Sequence, residues 1–90
     1  MSNTPNFTSM TASDLAEILF TSRLQESEHP SAEQVRSAID ARFGACGGDR
    51  SACVAAVAQE AGDHPETYLV RMRWALTSVT EAYPDLTRAA

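Results

Sequence analysis

The side chains best suited to chemistry in this chain are two cysteines and two histidines, Cys46, Cys53, His29 and His64. Three or four such groups can hold a zinc ion when their spacing gathers them around one point. Here both histidines precede prolines at expected helix boundaries, and the four positions match no common zinc spacing. We therefore expect no metal site, and no other feature of the sequence indicates a cofactor.

The redox state of Cys46 and Cys53, seven residues apart, has two interpretations. On one continuous helix the two would lie roughly 10 Å apart along the axis, too far for a disulfide. Gly47 and Gly48 should interrupt that helix, so a bridge can also form. We favour two reduced thiols, with Cys53 buried as a small apolar residue and Cys46 near a loop.

The chain carries none of the short motifs that mark common catalytic sites. It has no P-loop, no dinucleotide-binding glycine pattern, no nucleophile elbow and no metalloprotease pair of histidines. Its acidic residues fall where a solvated helix face or a helix cap would place them, so none forms an evident acid–base couple. The sequence therefore predicts a protein without enzymatic activity.

Length and composition indicate one small domain in the cytoplasm. Ninety residues with 43% apolar content can form a single modest core. No stretch approaches the roughly 18–20 apolar residues that span a bilayer. The opening residues, MSNTPNFTSM, lack the basic start and apolar centre of a secretory signal. We therefore expect a cytoplasmic protein without a membrane partner.

Hydrophobic periodicity and helix start signals predict an all-α fold, a compact four-helix bundle or orthogonal helical array. Thr11 or Ser13 can cap the first helix, Ser31 with Gln34 forms a capping box for the second, and Asp49 can cap the third. The expected helices cover about 13–27, 32–43, 50–61 and 64–83, in a single domain at 11–86 with a disordered tail at 1–10 and a second tail at 87–90.

The last helix has the clearest start signal and the longest apolar stripe. Gly62 suits the residue past the end of the third helix, and Asp63 with Glu66 has capping-box spacing. Pro65 then lies in the first turn. At about 100° per residue, one stripe should form the core face, with Tyr68 and Ala75 on its shoulder. That predicted stripe consists of Leu69, Met72, Leu76, Val79 and Tyr83.

Val70 and Trp74 lie one turn apart on the other side of this helix, flanked by Arg71 and Arg73. Tryptophan and arginine are frequent anchors of protein interfaces. Our leading hypothesis is a non-enzymatic interaction module that binds another protein or self-associates through Val70, Arg71, Arg73 and Trp74. The alternative is that Trp74 is buried in the core of a monomer, with neighbouring helices covering both sides of the last helix.

Residues 57–76, VAQEAGDHPETYLVRMRWAL, also resemble a bacterial helix-turn-helix of the sigma-factor region 4 or LuxR type. In those families a helix that ends in Ala-x-x-x-Gly is followed by a turn, then by Pro-x-Thr and an Arg-rich recognition helix. The matching positions are Ala58 and Gly62 in the first helix and turn, and Pro65, Glu66 and Thr67 at the start of the second.

This resemblance implies an alternative function as a DNA-binding regulator. His64, Glu66, Thr67 and Arg71 would then face the major groove, and Arg73 would lie near a phosphate. The net charge of −5 makes no cationic surface, and for that reason DNA binding is the second hypothesis. The whole chain is also similar to small helical proteins of actinobacteria, which implies a cytoplasmic protein and brings no function with it.

Overall fold

A computed structural model describes residues 10–84, and the expected tails at 1–10 and 87–90 lie outside this range except for Met10. Four helices form the fold: α1 (Ala12–Phe20), α2 (Ala32–Ala45), α3 (Arg50–Asp63) and α4 (Pro65–Ala82). Each helix contacts the other three, and residues 10–84 contain no strand. The predicted all-α fold is confirmed. None of the described helices has the length and apolar character to cross a membrane.

The first helix is shorter than predicted, because it ends at Phe20 instead of about residue 27. Thr11 caps its start in a reciprocal capping box with Asp14. At its other end, the Thr21 hydroxyl donates to the Ile18 carbonyl at 2.8 Å, and the Ser22 hydroxyl donates to the Leu19 carbonyl at 2.7 Å. These hydroxyls compete with further helical amides for the same carbonyls, so the chain leaves the helix. It continues through a short 3-10 turn at Glu26–Glu28.

The starts of α2 and α3 follow the predicted caps. The Gln34 amide donates to the Ser31 hydroxyl at 3.2 Å, and the Ser31 amide donates to the Gln34 side chain at 2.8 Å. Asp49 caps α3 by accepting from the Ser51 amide at 3.0 Å. The ends differ from prediction, since α2 continues past Gly44 and α3 continues through Gly62.

A disulfide between Cys46 and Cys53 closes the connection between α2 and α3. Gly47 and Gly48 both adopt positive φ angles, 72° and 76°, which turn the chain sharply. This turn brings the two cysteine Cα atoms to 5.4 Å, within the usual range for a bridge. The expectation of two reduced thiols is therefore wrong in this structure, although Cys53 is buried as predicted.

The core forms around α1, whose Leu15, Ile18 and Leu19 are fully buried. Helix α1 touches α4 most extensively and also packs on α2 and α3. The alternative drawn from the sequence, in which neighbouring helices cover both sides of the last helix, is wrong because α4 leaves one side exposed, and α1 is the helix that the other three enclose. The buried cluster consists of Leu15, Ala16, Ile18, Leu19, Val35, Ile39, Phe43, Cys53, Ala75, Val79 and Ala82.

Helix α4 presents a different face to the core from the one predicted. Leu69 and Leu76 are exposed, whereas Ala75 is fully buried and Ala82 nearly so. Relative to the predicted stripe, the buried face is rotated by about 80° at 100° per residue. Small side chains at the contact let α4 approach α1 closely, and this places the bulky leucines outside. The prediction for Leu69 and Leu76 is wrong, and that for Val79 is confirmed.

Candidate functional site

The junction between α3 and α4 fixes where the exposed part of α4 begins. Only His64 separates the two helices, and Asp63 is the last residue of α3. The predicted Asp63–Glu66 capping box is therefore wrong: His64 occupies the N-cap position, and its side chain makes no capping hydrogen bond. Pro65 lies in the first turn as predicted, because that position needs no amide donor.

Three large aliphatic side chains of α4 are exposed to solvent. Leu69 is 56% exposed, Val70 60% and Leu76 39%, and they are the exposed large hydrophobic residues of the described part of the chain. Their spacing places them along one side of the helix. On the same side, Glu66 precedes them and Arg73 lies between Val70 and Leu76. We call this surface the outer face of α4 and define it by Glu66, Leu69, Val70, Arg73, Leu76 and Thr77.

Trp74 lies at the border of the outer face, one turn after Val70. Its side chain is partly buried and packs against the core cluster. The Arg71 guanidinium lies 5.0 Å from the centre of the Trp74 ring and 5.4 Å from that of Phe20. These distances suit cation–π contacts, which hold the indole in place. Trp74 is thus neither fully buried in the core nor fully exposed as an interface residue, which were the two interpretations drawn from the sequence.

The guanidinium of Arg71 binds backbone carbonyls at the end of α1. Its Nε donates to the Phe20 carbonyl at 2.9 Å, and one terminal nitrogen donates to the Ser22 carbonyl at 3.0 Å. Carbonyls at a helix C-terminus lack helical partners and carry partial negative charge, so a fork-shaped cation suits them. Partial burial lowers the pKa of Arg71 from its usual value. Arg71 therefore acts as a support for Trp74, and Arg73 is the exposed cation of this region.

A shallow groove of about 320 Å³ runs between the outer face and the turn that follows α1. Val70 and Trp74 give it an apolar side, while Glu26 and Glu66 bring carboxylates to its edge. A groove of this kind can take an apolar side chain that carries, or lies next to, a positive charge. Gln25, Thr67 and Arg71 complete its lining.

The residues expected to contact DNA lie around the start of α4. His64, Glu66 and Thr67 are exposed there, and the Thr67 hydroxyl donates to the His64 carbonyl at 3.2 Å. Arg73 is exposed about two turns further along, on the outer face. Arg71 points instead toward α1, so the structure separates it from the other four.

Leu69 and Leu76 belong to the candidate surface and were missed because their bulk suggested a core position. The signal that could have found them is the spacing of small residues on the opposite side of the helix. Ala75, Ser78 and Ala82 are spaced three and four apart, and all three are buried or partly buried. Such a line can face a leucine-rich helix such as α1, and the larger side chains then point away from it.

Comparison of the chain with protein-family models, with curated proteins and with solved structures finds no significant match. The function proposed below therefore derives from the chemistry of the outer face of α4.

Proposed function

We propose that the protein is a non-enzymatic interaction module that binds a protein partner through the outer face of α4. The observation that carries this function is the exposure of Leu69, Val70 and Leu76 on one side of α4. Scattered single apolar residues are ordinary on protein surfaces, but several large ones on one side of a single helix suit an interaction site. Covering such side chains gains roughly 25 cal/mol for each Å² of apolar area removed from water.

The arrangement of the outer face also favours docking of a helix. Leu69, Arg73 and Leu76 follow the spacing of four and three residues by which one helix packs along another. Arg73 can keep its charged end at the rim while its methylene groups cover apolar surface. The partly buried indole of Trp74 offers a large, rigid anchor beside Val70, because Arg71 holds it in place.

A photo-crosslinking amino acid tests this function at single positions. We would place it at Val70 on the outer face and, as a matched control, at the exposed Ser37 on α2. After irradiation in the cells that make the protein, we expect a discrete protein adduct from position 70 and none from position 37. Equal adducts at both positions, or none at position 70, would overturn the proposal.

DNA binding remains the second proposal, and a simple experiment separates it from the first. Asp63 and Glu66 lie beside the exposed start of α4, and their charge repels phosphate. If DNA is nevertheless the ligand, the protein will be retained on DNA at low salt, and Arg73→Ala will weaken retention. Absence of retention at low salt excludes it.

We also propose that this activity lies in the cytoplasm, as expected from the sequence. Fractionation of the cells that make the protein should recover it together with cytoplasmic marker enzymes. Recovery in a membrane or extracellular fraction would overturn this location.

A further inference from the structure

We propose that the partner of the outer face of α4 is a second copy of the same chain, paired with its α4 antiparallel about a two-fold axis. This inference rests on the function proposed above and names its partner. A two-fold interface must be self-complementary, since each residue meets the symmetry equivalent of another residue in the same patch. The outer face of α4 has this property in both its charges and its apolar groups.

The charged residues lie symmetrically around the exposed apolar pair. Glu66 lies three residues before Leu69, and Arg73 lies three residues after Val70. Glu66 and Arg73 are therefore two turns apart, about 10.5 Å along the helix. In an antiparallel pair, residues equally far from the axis face each other, so an axis between Leu69 and Val70 places Glu66 opposite Arg73 of the second copy. The same operation forms an identical ion pair on the other side of the axis.

The apolar residues fit the same axis. Leu69 and Val70 lie half a residue on either side of it, so the Leu69 and Val70 side chains of both copies form one apolar cluster around the axis. Leu76, at the end of the patch, lies opposite position 63 of the second copy, and the exposed Pro65 is about 3 Å further along that helix. Pro65 and Leu76 lie on the same side of the helix at 100° per residue, so the proline ring is within reach of the leucine side chain.

The charges select this register over its neighbours. An axis midway between Met72 and Arg73 would pair Leu69 with Leu76, but it would also place the two Arg73 guanidinium groups against each other, which is costly in an interface. Glu66 and Arg73 are also available for the pairing. Within residues 10–84 the ion pairs join Arg50 to Asp14 and Glu17, and both Glu66 and Arg73 are exposed.

The contact involves one helix from each copy, so we expect a weak dimer. Interfaces at the low end of the size range are generally transient. Association should therefore become visible between about 1 µM and about 1 mM protein, the range in which a micromolar to millimolar dissociation constant appears.

Sedimentation equilibrium of charge-reversal variants tests the pairing directly. Wild-type protein should shift from one to two chains across that concentration range. Glu66→Arg alone and Arg73→Glu alone should each weaken association about tenfold or more, while the double variant should restore it because both ion pairs re-form with reversed polarity. The exposed Glu33→Arg on α2 and Arg23→Glu after α1 are matched controls and should leave the dissociation constant unchanged.

Two results would overturn the inference: a wild-type protein that stays monomeric throughout, or a double variant as weak as the single ones. Circular dichroism of each variant shows whether it is folded. The crosslinking experiment at position 70 distinguishes failure of the dimer inference from failure of the proposed docking function. A monomeric protein whose position 70 still captures a different protein retains the docking function and loses only the second copy as its partner.

Discussion

The Arg71 guanidinium lies 5.0 Å from the centre of the Trp74 ring, and the same guanidinium donates hydrogen bonds to the Phe20 and Ser22 carbonyls at the end of α1. Arg71 thus contributes both to the packing of α4 on α1 and to the position of the Trp74 ring, which borders the outer face. Because Arg71 is directed inward, the exposed positive charge of that face comes from Arg73.

We expect Arg71→Lys to destabilise the fold although it keeps the charge. A lysine cannot reach both carbonyls with a planar fork or stack in the same way on Trp74. Loss of these charge-assisted hydrogen bonds should lower the free energy of unfolding by about 2 kcal/mol. Urea unfolding followed by the fluorescence of Trp74, the only tryptophan, measures the change. Arg73→Lys is the control, and equal effects of the two substitutions would show that the fork is unimportant.

The observed orientation of α4 predicts a large effect on stability for one substitution and a small effect for another on the opposite face. Ala75 is fully buried, so Ala75→Leu should overpack the contact and lower the free energy of unfolding by about 1–3 kcal/mol. Leu69 is 56% exposed, so Leu69→Ala should change it by no more than about 0.5 kcal/mol. Thermal or urea unfolding of dilute protein compares them. If Leu69→Ala were the more damaging variant, α4 would present the leucine stripe to the core.

Short-range features were readable from the sequence because they depend on residues only a few positions apart. The Ser31–Gln34 capping box and the Asp49 cap form as predicted, and the positions of four helices follow from such signals and from periodicity. The end of α1 is not predictable in this way. Threonine and serine can continue a helix, or their hydroxyls can donate to preceding backbone carbonyls and end it, as Thr21 and Ser22 do here.

The rotation of α4 could not be read from its own residues. Which face is buried depends on the neighbouring surface, and α1 supplies bulky side chains that suit small partners such as Ala75 and Ala82. The sequence alone therefore assigns the apolar stripe that contains Leu69 and Leu76 to the core. Val70, Arg73 and Trp74 were recognised as candidate interaction residues, but their two leucine neighbours appeared only once the packing was known.

Removing the disulfide should destabilise the protein. The bridge closes a short loop between Cys46 and Cys53, and without it the unfolded chain gains conformational entropy equivalent to about 2–3 kcal/mol. Wild-type protein should therefore unfold at lower urea concentration when a reductant is present. The Cys46→Ser, Cys53→Ala double variant is the control, because a reductant has nothing to reduce in it. An identical wild-type curve with and without reductant would mean that the bridge adds no stability.

Stability should fall in alkaline solution through Tyr83. Burial of the phenol, aided by Asp40 and opposed by Arg36, raises the pKa of Tyr83 from 10.0 to about 12. The folded state thus favours the neutral phenol. This contribution is fully present below about pH 10 and is lost as the pH rises toward about 12, by about 1–2 kcal/mol after solvent screening.

Urea unfolding at a series of pH values measures this effect, and Tyr83→Phe provides the comparison. Phenylalanine cannot ionise, so the variant should show a flatter profile between about pH 10 and about pH 12. The sequence contains no lysine, which leaves few other groups to titrate in that interval. Parallel profiles for the two proteins would show that the ionisation of Tyr83 is not linked to folding.

The most direct test of the central claim is the solvent accessibility of the α4 methyl groups, measured by NMR with a soluble paramagnetic probe in dilute purified protein and again in a concentrated lysate of the cells that make the protein. We predict that the methyl groups of Leu69, Val70 and Leu76 are accessible in dilute solution and protected in the lysate, while the methyl group of the exposed Ala41 on α2 is equally accessible in both. Equal accessibility of the three α4 residues in both settings would contradict a docking role for this face.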